Sequence, residues 1–181
     1  MKNDPLCQAP CPIARSLGRI GDSWSMMIMR DAFAGFTRFD EFQKSSNVAP
    51  NILSRRLKAL VEDGLLEKVC YSSAPPRYEY RLTDRGRDFR PVILALAEWG
   101  NRHFSPEGLQ IQLIETSTQR PVHAVMVDGE TGQPITSDKY AMVPGPAADP
   151  VIHYRHEYLL QKRAGDTTLK FSPKAQSTKV L

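Results

Sequence analysis

The sequence predicts a mainly α chain with a small β wing, an α+β winged helix-turn-helix that carries a C-terminal β-rich extension and a terminal helix. Three observations predict it. A short amphipathic segment from Phe39 to Lys44 ends in the polar turn Ser45-Ser46-Asn47-Val48; a basic amphipathic segment starts at Pro50; and two alternating runs, Leu65 to Tyr71 and Arg77 to Leu82, follow directly. Short helix, turn, basic helix and hairpin in that order build the motif.

Ile13, Leu17 and Ile20 make the apolar face of a first helix. Trp24 to Phe33, with Met26, Met27, Ile28 and Met29, is apolar almost all round and reads as core, its methionines filling gaps. Phe39 and Phe42 share one side of the next, short helix. Pro50 then stands where a first-turn proline is tolerated, because its missing N–H would have had no helical partner.

Leu53, Leu57, Leu60 and Val61 recur at i, i+4, i+7 and i+8, the stripe of a half-buried helix. Asn51, Ser54, Arg55 and Lys58 fall on the opposite side. That set suits the major groove of double-stranded DNA: Arg forks to guanine, Asn to adenine, and Ser and Lys hold phosphates. Arg56 lies at the edge of the apolar stripe, so a structural or phosphate-contacting role ranks ahead of base reading. A polar outer face is common on any surface helix; here its position after a helix and turn gives it weight.

Gly64 supplies the helix stop, since glycine takes the left-handed conformation of a C-terminal cap. Between the strands, Ser72-Ser73-Ala74-Pro75-Pro76 forms a stiffened loop, with Arg77 placed to meet a phosphate or enter the minor groove. Cys70, in the first strand, is expected to pack. Thr83-Asp84 caps a long helix running to about His103 with Val92, Leu94, Ala95, Leu96 and Trp99, and Pro91 implies a bend or break near Arg90.

Beyond Phe104, Ser105-Pro106-Glu107-Gly108 signals a linker. Leu109 to Glu115 and Val122 to Val127 read as strands, and Val151 to Arg163 as a helix. His153 and His156 lie three apart there, yet lack neighbouring ligands and are expected to face solvent. Residues 1–104 are thus expected to form the DNA-binding and dimerisation domain, 105–150 a small β-rich extension, and 151–181 a short helix with a flexible tail.

Charge agrees with this division. Residues 1–104 hold 16 Lys and Arg against 12 Asp and Glu, while the remainder balances at 8 against 8, so the net +4 belongs to the winged segment. With 41% hydrophobic and 24% charged residues the chain can build one good core. No apolar run reaches membrane-spanning length, and Met1-Lys2-Asn3-Asp4-Pro5 lacks a signal-peptide core, so a cytoplasmic protein without membrane partners is expected.

Cys11-Pro12-Ile13, Gly21-Asp22-Ser23-Trp24, Arg38-Phe39-Asp40-Glu41-Phe42, Leu53 to Leu60, Glu62-Asp63-Gly64-Leu65, Pro76 to Tyr80, Leu82 to Gly86 and Ala97-Glu98-Trp99-Gly100 follow one another in order. Over residues 8 to 104 these blocks resemble the HxlR-type bacterial transcriptional regulators, which are distantly similar to MarR-type proteins. The resemblance implies a DNA-binding homodimer, joined through the first helix and the long helix after the wing. Two reading helices on a two-fold axis would require an inverted-repeat operator. Repression is the commoner expectation for such a scaffold.

Three cysteines, Cys7, Cys11 and Cys70, are too few for a zinc site or a disulfide framework, and neither metal nor cofactor is expected. Cys11 precedes Pro12 at a helix N-terminus, where partial positive charge favours thiolate. The resemblance implies a place where some relatives sense electrophiles or oxidants, with Cys7 as a resolving partner; the alternative is an inert thiol packing the first helix. Longer relatives can carry C-terminal extensions with zinc-binding cysteine pairs, but this sequence has no cysteine after Cys70. An enzyme would need a convergent catalytic set or a phosphate loop, and neither appears; His103, His123, His153 and His156 all lie outside the winged segment. A winged protein-interaction module, or a regulator sensing a small-molecule effector without cysteine chemistry, remains the alternative.

Overall fold

The computed structural model describes residues 4–165 and 170–171. The chain divides into two compact units, Met1–Gly18 with Thr136–Leu181, and Arg19–Ile135. Among the described residues a 3-10 turn at Pro5–Gln8 precedes α1 (Pro12–Ile20), α2 (Ser23–Phe33), α3 (Phe39–Ser46) and α4 (Pro50–Glu62). Then come β1 (Leu66–Ser73), β2 (Pro76–Leu82), α5 (Asp84–Arg87), α6 (Arg90–Phe104) and α7 (Pro150–Arg163).

The second unit holds the winged helix-turn-helix. Its core joins Ile28 and Met29 of α2, Phe42 of α3, Val48 of the turn, Leu53, Leu57 and Leu60 of α4, and Leu65 and Leu66 at the wing's start. Burying each of the three α4 leucines contributes about 1.5–3 kcal/mol, so the inner side of α4 is firmly seated. Helix α3 runs two residues past the expected Lys44, because the Ser46 hydroxyl donates to Phe42 O (2.7 Å) and Asn47 closes the helix in the left-handed region (φ 49°). The turn is shorter than the sequence suggested, and the end of α3 is bonded back to α2: Arg30 Nη2 donates to Ser45 Oγ (3.3 Å).

Strands β1 and β2 pair antiparallel, with an irregularity between Cys70 and Ser72 that leaves Tyr71 unpaired in the register. Residues 37 and 38 add a short third rung, since Tyr80 N–H donates to Thr37 O (2.7 Å) and Arg38 bridges Glu79. The wing is thereby tied to the start of α3.

The stop after α4 is fixed from both sides. Gly64 takes φ +70°. Arg85 Nη1 donates to Asp63 O (2.9 Å), and the Thr83 hydroxyl donates to Gly64 O (2.6 Å) while accepting from Gly86 N–H (3.0 Å). Gly86 lies so close to the Leu65 carbonyl that a side chain there would collide with it. The expected break near Pro91 is real: α5 ends at Arg87 and α6 starts at Arg90. None of the α6 residues is buried, and Val92, Leu96 and Trp99 stand exposed at i, i+4 and i+7.

The extension departs from expectation. Neither 109–115 nor 122–127 forms a strand; only isolated antiparallel bridges, Ile114 with Pro121 and Val127 with Pro134, occur there. Each bridge has a proline on one side, which lacks the N–H needed to continue a ladder, and the tight turns at 116–119 and 128–132 leave little chain to pair. In the first unit Asp149 caps α7 by accepting from Val151 N–H (2.9 Å), and the rings of Tyr154 and Tyr158 pack on Phe171. His153 is exposed and His156 half-buried, with no metal-binding cluster among the described residues. The flexible tail expected over 164–181 lies largely outside the described residues.

Candidate nucleic-acid interface

Helix α4 turns four polar side chains outward. Asn51, Ser54, Arg55 and Lys58 are all exposed, on the side opposite the fully buried Leu53, Leu57 and Leu60. The side chains of Ser54 and Arg55 make no hydrogen bond or ion pair among the described residues, so the hydroxyl and the five guanidinium donors are open to a partner. Lys58 is 3.9 Å from Glu62 with both groups well exposed, a weak pairing that a phosphate can displace. The Asn51 carbonyl oxygen accepts from Ile52 N–H (2.9 Å), which leaves its NH2 as the outward group. The oxygen's second lone pair remains for the two-point contact with adenine.

Arg56 behaves differently from its neighbours. Its Nε lies 3.0 Å from Asp22 Oδ1, and the two side chains are only 18% and 22% exposed. Asp22 also caps α2 by accepting from Ser25 N–H (3.0 Å). Arg56 therefore clamps α4 to the N-terminal cap of α2.

On the wing, the Arg77 side chain is exposed and carries no ion pair or hydrogen bond among the described residues. Sequence reasoning missed three further cations. Lys68 Nζ sits 3.9 Å above the Tyr78 ring, and the Arg38 guanidinium 4.9 Å from the Tyr71 ring. Glu79, mostly buried, stands between Arg81 (2.8 Å) and Arg38 (3.8 Å). Only the alternation of Lys68, Cys70 and of Tyr78, Tyr80 could have hinted at the Lys68 stacking; the Arg38 placement depends on the third rung. Cys70, expected to pack, is instead exposed, its thiol donating to Ser72 O (3.1 Å) at the irregular step of the strand.

Residues 19–108 match the family described as HxlR-like helix-turn-helix. An HTH-type transcriptional regulator of Mycobacterium tuberculosis is 36% identical over 135 residues, 74% of this chain and 85% of the relative. The chain belongs to the HxlR-like helix-turn-helix family. The crystal structure of PA1607, assigned as a transcription factor, is 42% identical with a TM-score of 0.69, and covers 77% of this chain and 98% of its own. A second, the assigned transcription factor PA1374 of Pseudomonas aeruginosa, is 48% identical with a TM-score of 0.59, covering 80% and 99%. This HxlR-like chain is accordingly a DNA-binding transcriptional regulator and not an enzyme. No helix among the described residues is long and apolar enough to cross a membrane.

The other candidate site of this HxlR-like regulator lies at the start of α1. Arg15 N–H donates to Cys11 O (3.0 Å), which makes Cys11 the N-terminal cap. The Cys11 thiol is held below its ordinary range by the Ala14 backbone N–H, against partial desolvation, with smaller help from Ile13 N–H and the charge of Arg155. Cys7 is half-buried, its backbone and sulfur close against Gly18.

Proposed function

We propose that this regulator works in the cytoplasm as a homodimeric repressor on an inverted-repeat operator. The observation that carries the reading is the division of α4 into three fully buried leucines and an exposed row of Asn51, Ser54, Arg55 and Lys58. Arg55 reads a base, Lys58 and Ser54 hold phosphates, and Arg77 on the wing meets the backbone or minor groove. Arg56 serves by fixing the angle of α4.

Dimerisation is supported by the uncovered stripe of Val92, Leu96 and Trp99 on α6, together with exposed Ile13 and Leu17 on α1. Residues 1–104 in this reading contain both DNA contacts and dimer contacts, with 105–150 an appendage and 151–181 a terminal segment. Half-sites should lie about one helical turn, ~34 Å, apart. The low-lying Cys11 thiol favours a second layer, in which an electrophile or oxidant modifies Cys11 and alters the spacing of the reading helices. Selecting bound duplexes from a random pool, with and without diamide, tests both layers. A palindromic consensus lost on diamide treatment in the wild type but retained in Cys11→Ser is the expected result; a single unpaired half-site would overturn the dimer, and equal responses would remove Cys11.

A further inference from the structure

One concavity of the second unit is lined from two directions: by Glu98, Asn101 and Arg102 of α6, and by Leu109, His123, Ala124 and Val125 of the extension. Its volume is about 370 Å³, within the range of small-molecule sites. The Asn101 amide is already used, donating to Ile111 O (2.6 Å) and so fastening the extension to α6. Arg102 and His123 are not used in that way. Both face the same oxygen, Glu98 Oε1, from 3.7 and 3.5 Å, and neither makes a hydrogen bond among the described residues. Glu98 thus holds two donor groups near each other without saturating them. Lining the same concavity, Leu109 and Val125 are 63% and 71% exposed, an apolar surface left open to a ligand.

The geometry points to a binding site for a small monocarboxylic acid with an apolar body. Its carboxylate takes the Arg102 fork through two parallel N–H···O bonds, with the His123 ring N–H as a further donor. Its hydrocarbon or aromatic part covers Leu109 and Val125. A cationic ligand would find Glu98 already facing Arg102 and His123, which disfavours it. Occupancy bridges α6 to the extension, and on the proposed reading that α6 carries the dimer contact, it would couple ligand to operator affinity.

The test is calorimetric titration of the full chain with benzoate, and separately with benzylamine, at fixed ionic strength, with operator binding measured on the same samples. Benzoate should bind, Arg102→Ala should weaken it roughly tenfold to a hundredfold, as expected for loss of a charge-assisted pair, and Glu98→Gln should tighten it. Leu109→Ser should weaken it as well, which the charge change alone would not produce. Benzylamine binding in place of benzoate, benzoate binding indifferent to Arg102→Ala, or no binding of either probe would overturn the site. Arg102 and Glu98 are surface positions, so these variants should keep wild-type unfolding profiles. Failure of the wild type to bind any duplex would defeat the regulator mechanism and leave the benzoate result to be judged alone.

Discussion

Replacing Arg56 by alanine removes the guanidinium whose Nε lies 3.0 Å from Asp22 Oδ1, between side chains that are each about four-fifths buried. Asp22 keeps its bond from Ser25 N–H but loses its charge partner, and its Oδ2 is already buried without a hydrogen bond. An exposed ion pair contributes about 0–1 kcal/mol, and breaking a wholly buried one costs about 3–5 kcal/mol. The partial exposure of both side chains places this site between the two, at about 2–3 kcal/mol. For a chain of this size that corresponds to a fall in Tm of about 4–12 °C. Urea unfolding of the wild type, Arg56→Ala, Asp22→Ala and the double variant gives the coupling directly, expected at about 1–3 kcal/mol. Arg55→Ala, one residue away, should leave the unfolding curve unchanged and weaken operator binding by about 1–3 kcal/mol. A fully stable Arg56→Ala that fails to bind DNA would refute the assignment of the two neighbours to separate tasks.

Gly86→Ala should destabilise by about 1–3 kcal/mol or more in the same urea assay, because its methyl would meet the Leu65 carbonyl, a backbone group that cannot swing aside. Leu96→Glu with Trp99→Lys places charges on the exposed stripe of α6, and sedimentation should show the wild type as dimer and this variant as monomer; an unaltered dimer would move the interface elsewhere. Glu41 accepts from Thr37 N–H (2.9 Å) and Arg38 N–H (2.8 Å), bonds that hold its carboxyl below the ordinary 4.5. Its folded value is depressed, so its stabilisation is present above pH 4.5 and lost as pH falls through the folded value; Glu41→Gln should flatten that acid limb. Cys11 should alkylate with iodoacetamide at lower pH in the folded chain than in the urea-unfolded chain, as read by mass spectrometry, and identical pH profiles would show that the Ala14 N–H does not activate it.

The helix-turn-helix and wing were legible because each carries a local period: leucines at helical spacing from Leu53, alternation through Tyr78 and Tyr80, and Pro50 and Gly64 as start and stop. What escaped the sequence depends on distant partners. Arg56 could be placed at the edge of the stripe, yet its tie to Asp22 is a meeting of residues far apart in the chain. Asp31, inside an apolar helix, is almost wholly buried and held by the adjacent Arg30 at 2.6 Å, a charge that periodicity would put in solvent. The extension misled in the other direction, since Leu109 to Glu115 and Val122 to Val127 have strand-like composition, while Pro121 and Pro134 limit pairing to single bridges. The cavity at Arg102 and His123 was invisible for the same reason as the Asp22 clamp, with its two walls contributed by separate segments.

Fluorescence anisotropy with a selected operator, titrated across salt concentrations, shows whether the outer side of α4 lies against a duplex. Lys58→Ala should weaken binding evenly across sequences and lower the log–log salt slope by about one, whereas Arg55→Ala should relax preference at one base position. Wild-type affinity and slope in both variants would mean that α4 does not meet DNA through this side.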